Sequence, residues 1–242
     1  NNVVARAKML GYTPTSARGS SATLNLTVTP STNLTSVIVA SNTLFTSTID
    51  GIQYKFTTRQ PYVLLQSTGY TSNTISIKEG EPISQRFTVN TNNDGQRFVL
   101  GNPNIDTTTI KIRIQTSSSN TSLRTFTEAS NLVDVSANSN VYFIQENENG
   151  KYELLFGDGV LGTALDNGNI VIADYNVVNG SITNGANNFV SPSTIGGQAS
   201  FTVSVANSAF GGANAESIPS IKFNAPKSFQ RQNRAVIKND YA

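Results

Sequence analysis

The chain has 242 residues, a formal net charge of +2 and a charged fraction of only 13%. It contains no Cys and no His, which excludes disulfides, thiolate metal sites, Cys nucleophiles and His general bases. Asn, Ser and Thr supply about a third of the residues. The apolar residues of the chain alternate with these polar ones in short runs, which favours β-strands with a polar face over disorder.

The N-terminal segment predicts a short helix. Apolar residues recur at helical spacing from Val3 to Leu10, and Gly11 suits the position just after the last turn. We therefore assign residues 1–20 to a helix and a linker. Because no residue suited to cap the start of the helix is visible, we expect the helix to begin upstream and the chain to be an internal part of a longer protein.

Alternation with period two predicts a long β region after this helix. The clearest hairpin spans 141–156 across Asn149-Gly150, a dipeptide that tolerates positive φ. We divide the region into a β region at 21–100 and a β domain at 101–210. The predicted strands lie at 21–28, 52–57, 108–115, 141–146, 151–156, 169–177 and 199–205. The fold class that follows is mainly β (α+β), with antiparallel β domains and short helices at the two ends.

The C-terminal segment, residues 211–242, changes character. Apolar residues from Ile218 to Ala225 fit one face of a short helix, and we expect Pro226 to stop it. We expect the remaining residues to begin another helix that leads into a C-terminal domain outside the sequence.

The stretch GDGVLG matches the glycine pattern of dinucleotide-binding loops. That function needs a helix directly after the glycines, and the sequence TALDNGN that follows has no helical period. We therefore predict a tight structural turn and no cofactor. Its residues are Gly157, Asp158, Gly159 and Gly162.

Acidic residues cluster at Glu146, Glu148, Glu153 and Asp158. A calcium site or a carboxylate pair of a glycosidase would need several of these oxygens to converge. Their position beside a hairpin turn favours ordinary solvated charges. We predict no catalytic residue, no metal ligand and no enzymatic activity.

Charge is unevenly distributed. Residues 128–174 carry eight acids against Lys151, whereas residues 175–215 carry no charge. Interfaces are depleted in charge at their centre, so we predict an interface in the charge-free stretch. Packing inside its own domain is the alternative. The candidate interface residues are Phe189, Phe201 and Phe210, together with Val236, Ile237 and Tyr241 near the C-terminus.

Four stretches, in order, carry a resemblance to a known family. They are ARAKMLGYTP (5–14), NPNIDTTTIKIRIQ (102–115), FGDGVLGTALDNGNIVIADY (156–175) and GGANAESIPSIKFNAPKSFQRQNRAVIKNDY (211–241). The set resembles the baseplate wedge proteins of T-even-type contractile-tailed bacteriophages and the related baseplate J-like domain. One departure is Ile237, where the family pattern has a Thr that caps the last helix.

The resemblance implies a structural role in the virion, within the tail baseplate and assembled in the cytoplasm of the bacterial host. Wedge proteins of this family form a ring around a hub, and the ring changes conformation when the tail contracts. The implied partners are copies of the same chain and other wedge subunits. From the residues themselves we predict no nucleic-acid partner, because no basic run is interleaved with aromatics, and no membrane partner, because no apolar run is long enough for a transmembrane helix. We also predict no small-molecule substrate and no cofactor. A glycan- or receptor-binding β module of a tail fibre or adhesin is the alternative, and a tail-associated hydrolase is a third hypothesis.

Overall fold

The computed structural model of the chain describes residues 2–10, 12–93, 95–129, 135–147 and 150–231. Strands make up 47% of the structure and helices 10%, and nearly all strand pairs are antiparallel. The predicted fold class is therefore confirmed. The described residues form a five-stranded sheet, a seven-stranded sheet, a two-stranded sheet and a pair of packed helices.

All seven predicted strands are present, and seven further strands lie between them. The helices are α1 (Asn2–Met9) and α2 (Ile218–Arg231). The first seven strands are β1 (Ser21–Val28), β2 (Ser36–Val39), β3 (Leu44–Ile49), β4 (Ile52–Thr58), β5 (Tyr62–Leu65), β6 (Thr71–Glu79) and β7 (Glu81–Thr88). The others are β8 (Phe98–Val99), β9 (Ile105–Gln115), β10 (Leu123–Glu128), β11 (Val141–Glu146), β12 (Tyr152–Phe156), β13 (Ile170–Val177) and β14 (Phe201–Phe210).

The first lobe is built on the five-stranded sheet, with strand order β14-β1-β6-β4-β3 and antiparallel neighbours throughout. Alternate residues of β1, from Ala22 to Val28, point into the core, as the period-two pattern predicts. The two-stranded sheet β2-β5 contributes Val37, Val39 and Leu64 to the same core. The lobe therefore buries apolar surface between two layers of strands.

The second lobe is built on the seven-stranded sheet, with strand order β7-β13-β9-β10-β11-β12-β8. Its neighbours are antiparallel except for β10 and β11, which run parallel. Along one part of the core, Phe rings pack edge to face in a row, with centroid separations of 5.7, 5.4 and 5.9 Å. Edge-to-face contact is a preferred arrangement of aromatic rings. The row consists of Phe87, Phe98, Phe156 and Phe126.

The second lobe, residues 81–177, is inserted into the first. Strand β14 follows the inserted lobe in the sequence but pairs with β1 of the first sheet. Strand β7 lies before residue 100 but pairs with β13 of the second sheet. The sequence-based boundaries at 100 and 210 therefore differ from the division between the sheets. Strand alternation identifies a strand but carries no information about its partner, so contiguity was the only guide to those boundaries.

The two helices pack against each other. Val4 and Ala7 of α1 meet Ile221 and Ala225 of α2, and all four are buried. Val3 and Leu10 are partly buried against the same cluster. The candidate interface residues Val236, Ile237 and Tyr241 lie outside the described residues.

The carboxylate of Glu216 joins the two helical segments. It accepts hydrogen bonds from the Tyr12 hydroxyl at 2.9 and 2.8 Å, from the Ser220 hydroxyl at 2.7 Å and from the Asn224 amide at 2.9 Å. Burial alone would raise the pKa of Glu216, but these hydrogen bonds outweigh burial and lower it.

The prediction that Pro226 ends the C-terminal helix is wrong, because α2 continues through it to Arg231. A proline inside a helix removes one backbone hydrogen bond and crowds the preceding turn. The turns before Pro226 are held by the contact of Ile221 and Ala225 with α1. Tertiary packing of this kind routinely overrides local helix propensity.

The lobes meet where β6 passes into β7 at Gly80. This residue has φ = +137°, and a Cβ there would lie 2.9 Å from Cβ of Asn176. Gly19 approaches the same point, since a Cβ on it would lie 2.3 Å from the Glu79 carbonyl oxygen. Both positions require glycine, because a Cβ at position 19 would overlap the backbone of Glu79 and one at position 80 would overlap the Asn176 side chain at a φ that favours glycine.

Buried charges and amides link the lobes around this crossing. Asp106 of the second lobe is fully buried and accepts hydrogen bonds from Lys78 Nζ at 2.8 Å and from the Gly19 N–H at 3.1 Å. Arg59 of the first lobe donates to Asn176 Oδ1 at 2.6 Å and to the Thr109 carbonyl at 2.8 Å. Because buried polar groups are costly when unpaired, these contacts oppose separation of the lobes.

The first prediction concerns Gly80. We expect Gly80→Ala to lower the free energy of unfolding by about 2 kcal/mol or more, because Ala must adopt a glycine-only φ and overlap Asn176. Chemical denaturation measures the change. The control is Gly101→Ala, where a Cβ meets nothing within 4 Å and the change should stay within about 0.5 kcal/mol. Equal effects of the two substitutions would contradict the crossing geometry.

The second prediction concerns the fully buried Glu79. Burial raises the pKa of its carboxyl, although hydrogen bonds from the Asn179 side chain and backbone N–H oppose the shift. The folded chain therefore binds this proton more tightly than the unfolded chain. The associated stability is complete below the unfolded pKa and is lost as pH rises through the folded pKa, at about 1.4 kcal/mol per unit of pKa difference.

Glu79→Gln removes this titration and keeps one oxygen for Asn179. We expect the stability of the variant relative to the wild type to increase as pH rises from about 4 to 8, as measured by urea denaturation at each pH. Glu81→Gln, at a neighbouring exposed position, controls for the loss of one negative charge. A difference between Glu79→Gln and the wild type that does not change with pH would contradict the assignment.

Candidate interaction surfaces

The GDGVLG loop is a tight turn closed by its own backbone. Gly159 and Gly162 have φ of +87° and +88°, and a Cβ on Gly157 would lie 2.3 Å from the carbonyl oxygen of Gly162. Asp158 Oδ1 accepts the N–H groups of Val160 and Leu161, both at 2.9 Å. These hydrogen bonds lower the pKa of Asp158.

The same geometry gives the loop no phosphate cradle. The N–H groups of Val160 and Leu161 are directed to Asp158, and the N–H of Gly162 donates to the Ser136 carbonyl at 3.1 Å. A turn and then strand β13, which starts at Ile170, follow the loop where a dinucleotide site would need a helix. The tip of the loop instead presents the Val160 side chain to solvent, with 72% of its surface exposed.

The acidic residues near the hairpin do not converge. Glu153 is buried, and its carboxylate is bound by Arg97 through Nε at 2.6 Å and Nη2 at 2.5 Å. Glu146 ends β11, Asp158 belongs to the glycine loop, and Glu148 lies outside the described residues. Within the described part of the chain, no three acidic residues come close enough together to hold a metal ion.

The predicted aromatic anchors of the charge-free stretch fall into two groups. Phe189 packs edge-on against Phe56 at a centroid distance of 4.9 Å, and Phe201 is half-buried on the same core. These two rings belong to the interior of the first lobe, as the alternative interpretation of the stretch proposed. Phe210, at the end of β14, leaves 66% of its surface exposed.

Strand β14 lies at the edge of the first sheet and pairs only with β1 among the named strands. The Thr29 N–H donates to the Ser200 carbonyl at 2.8 Å, and Thr202 and Ser204 lie opposite Thr27 and Asn25. Backbone groups alternate in direction along an antiparallel strand, so the N–H and C=O groups of the residues between them point away from β1. These residues are Phe201, Val203 and Val205.

This outer edge is open over most of its length. At Ala209 it is closed, because the N–H of Ala209 donates to the Ala186 carbonyl and its carbonyl accepts from the Gly185 N–H. Between Phe201 and Ser208, no described residue makes a backbone hydrogen bond to that side. Every side chain of β14 is uncharged.

The other edges of the two larger sheets are protected, and β2 and β5 of the small sheet have only four residues each. Val190 exchanges two backbone hydrogen bonds with Thr46 and so covers β3. Strand β7 carries Glu81, Pro82 and Arg86, and β8 has only two residues. Charges, proline, short strands and covering segments are the usual means of blocking unwanted strand pairing. Strand β14 has no charge and no proline between Phe201 and Ser208, and no segment of the described part of the chain covers it there.

A second exposed apolar surface lies on the outer face of the β2-β5 sheet. Ile38 lies opposite Val63, and their exposed fractions are 56% and 58%; Leu65 next to them is 49% exposed. Neither β2 nor β5 is among the strands predicted from the sequence. The signal was present as the short apolar runs SVIV and YVLL, but runs of four residues are too short to assign from periodicity.

A groove of about 910 Å³ runs between the lobes. Its basic side chains all have partners: Arg59 is bound as described, Lys111 donates to the Arg59 carbonyl at 3.1 Å, and Arg113 pairs with Asp174 at 2.6 Å. Burial lowers the pKa of Arg59. Tyr142 also lines the groove, so its wall combines charged, amide and aromatic groups.

Comparisons with known proteins add no relative. No family model matches the chain, and no curated protein matches it. In the described part of the chain, no helix combines the length and apolar character needed to cross a membrane.

The third prediction separates Phe189 from Phe210. We expect Phe189→Ala to lower the free energy of unfolding by about 2 kcal/mol, because it removes an edge-to-face contact with the buried Phe56. Phe210→Ala should change it by less than about 0.5 kcal/mol, because the ring is largely exposed. Thermal and chemical denaturation measure both. A larger loss for Phe210→Ala than for Phe189→Ala would contradict this placement.

Proposed function

We propose that the chain is a non-catalytic structural component of a phage tail baseplate wedge, located in the virion and assembling through protein–protein contacts. Its partners are copies of itself and other wedge subunits. The observation that carries the proposal is the uncharged edge of β14, which is open between Phe201 and Ser208 among the described residues, together with the exposed Phe210 at the end of the strand. Natural proteins block such edges unless they pair with another chain.

Two further features support assembly. The face of Ile38, Val63 and Leu65 adds exposed apolar side chains on the same lobe, and exposed apolar patches mark interaction surfaces in soluble proteins. The resemblance of four ordered sequence stretches to wedge proteins supplies the identity of the assembly. One of them, FGDGVLGTALDNGNIVIADY, spans a closed turn and strand β13, which pairs with β7 on one side and β9 on the other.

In this proposal the junction of the lobes transmits force. Asp106, Lys78 and Gly19 tie the two sheets with buried hydrogen bonds, so a load applied to one lobe reaches the other through short, satisfied contacts. A ring that changes conformation during tail contraction needs subunits that move as units.

The fourth prediction tests this function with purified wedge subunits of the same phage. We expect the chain to cosediment with at least one of them in velocity sedimentation. Phe210→Asp should weaken that complex at least about tenfold, because a buried unpaired carboxylate is costly. Phe223→Asp is the matched control, since Phe223 on α2 is also exposed, by 64%. Circular dichroism verifies the fold of each variant.

The proposal fails if no wedge subunit binds. It also fails if two results occur together. The first is that Phe210→Asp and Phe223→Asp both bind the wedge subunits as tightly as the wild type does. The second is that the chain is located outside the baseplate in purified virions.

A glycan- or receptor-binding module is the second candidate, and the groove between the lobes is the observation that favours it. Sugar sites combine planar polar groups with an aromatic wall, and the Arg113–Asp174 pair and Tyr142 line this groove. Saturable binding of a host glycan, weakened by Arg113→Ala and unaffected by Phe210→Asp, would favour this candidate over the wedge.

A further inference from the structure

We infer that the open edge of β14 pairs with β14 of a second copy of this chain, antiparallel and across a two-fold axis at Val203. This inference deepens the proposed function and rests on it for the assembly in which the contact occurs. It specifies the self-contact: two five-stranded sheets joined edge to edge into one continuous sheet.

The backbone provides the first argument. Phe201, Val203 and Val205 direct their N–H and C=O groups away from β1. A two-fold axis at Val203 places that residue opposite its own copy and Phe201 opposite Val205. All three positions then fall at hydrogen-bonded sites of the new ladder, where each opposing pair exchanges both backbone hydrogen bonds. A register shifted by one residue would place these groups opposite residues whose backbone groups face β1.

The side chains match in the same register. On one face of the strand, where Phe201 and Val203 are partly buried against the core and Val205 is 36% exposed, the aromatic Phe201 meets the β-branched Val205, and Val203 meets Val203. On the other face Thr202 meets Ser204. Aromatic with β-branched and hydroxyl with hydroxyl are stabilising cross-strand combinations. The segment FTVSV is therefore complementary to itself when read in opposite directions.

Charge and closure select a second copy as the occupant. Residues 175–215 carry no charge, so two copies bring no like charges together at the new contact. A two-fold contact uses the same surface on both chains and closes after two copies, so it does not propagate into a fibre. In this register Ala209, where the edge is blocked, would lie opposite residue 197 of the second copy. Residue 197 precedes β14, so the blocked position lies outside the part of the two strands that pairs.

A charge-reversal series tests the register. Thr202 and Ser204 are exposed and face each other across the proposed contact. T202K/S204K therefore brings two lysines together at each such pair, whereas T202K/S204E brings a lysine and a glutamate together. We expect the wild type to dimerise in sedimentation equilibrium between about 1 µM and 1 mM, the range for small interfaces. The dissociation constant should rise at least about tenfold in T202K/S204K and recover in T202K/S204E.

The matched control is T48K/T91K, which adds the same charge at two exposed positions away from β14 and should dimerise as the wild type does. A wild type that stays monomeric throughout the range would overturn the inference. So would wild-type association of T202K/S204K, or a failure of T202K/S204E to recover.

A cross-link gives a readout that does not depend on added charge. The chain has no Cys, so Val203→Cys introduces a single thiol, at the position where the two copies face each other. We expect mild oxidation to yield a covalent dimer much faster than with Val160→Cys, which places the thiol on the exposed loop tip. Equal rates for the two variants would overturn the inference.

These results separate the inference from the proposed function. A chain that stays monomeric alone but binds another wedge subunit would refute β14 self-pairing and leave the wedge assignment intact. A chain that dimerises through β14 but binds no wedge subunit would support β14 self-pairing and refute the wedge assignment.

Discussion

The rest of the structure depends on the pairing of β1 with β14. The two strands belong to opposite ends of the chain, and their ladder runs from Ser21 opposite Phe210 to Val28 opposite Phe201. This ladder completes the first sheet after the whole second lobe has been inserted. It also brings α2 back beside α1, where Glu216 meets Tyr12. One side of β14 thus organises the fold, and the other side remains open for association.

The inserted lobe is held by hydrogen bonds and an ion pair at a narrow crossing. Glycine at positions 19 and 80 lets backbones approach closely enough for Lys78 to reach Asp106. Each buried charge there has a partner, which is the condition under which buried charge is tolerated. The pairing of β1 with β14 and the crossing at Gly80 therefore place the two sheets in one arrangement, and the groove between them is a consequence of that arrangement.

The sequence predicted elements better than it predicted their partners. Strand β1 was evident from Ala22, Leu24, Leu26 and Val28, because one face of it is completely buried. Strand β10 was missed because Phe126 is its one buried residue, so its alternation is too sparse to detect. Periodicity cannot predict that β14 pairs with β1 of the first sheet, because strand pairing depends on contacts between residues that are distant in the sequence.

The candidate site shows the same limit. The absence of charge in residues 175–215 drew attention to the segment that contains β14, but it did not distinguish an aromatic ring packed inside the lobe from one exposed at its surface. Phe189 is held by Phe56, a residue far away in sequence, whereas Phe210 is largely exposed. The open backbone edge has no sequence signature of its own. It follows from which strand happens to lie at the end of the sheet.

The most direct measurement is amide hydrogen exchange along β14, resolved to single residues, in dilute and concentrated chain. The amides of Thr202 and Ser204 face β1 and should be protected in both. Those of Phe201, Val203 and Val205 should exchange freely in dilute chain and become protected on association. Protection of these three amides that does not change with concentration, or an increase in protection confined to other strands, would contradict the assignment of β14 as the contact surface.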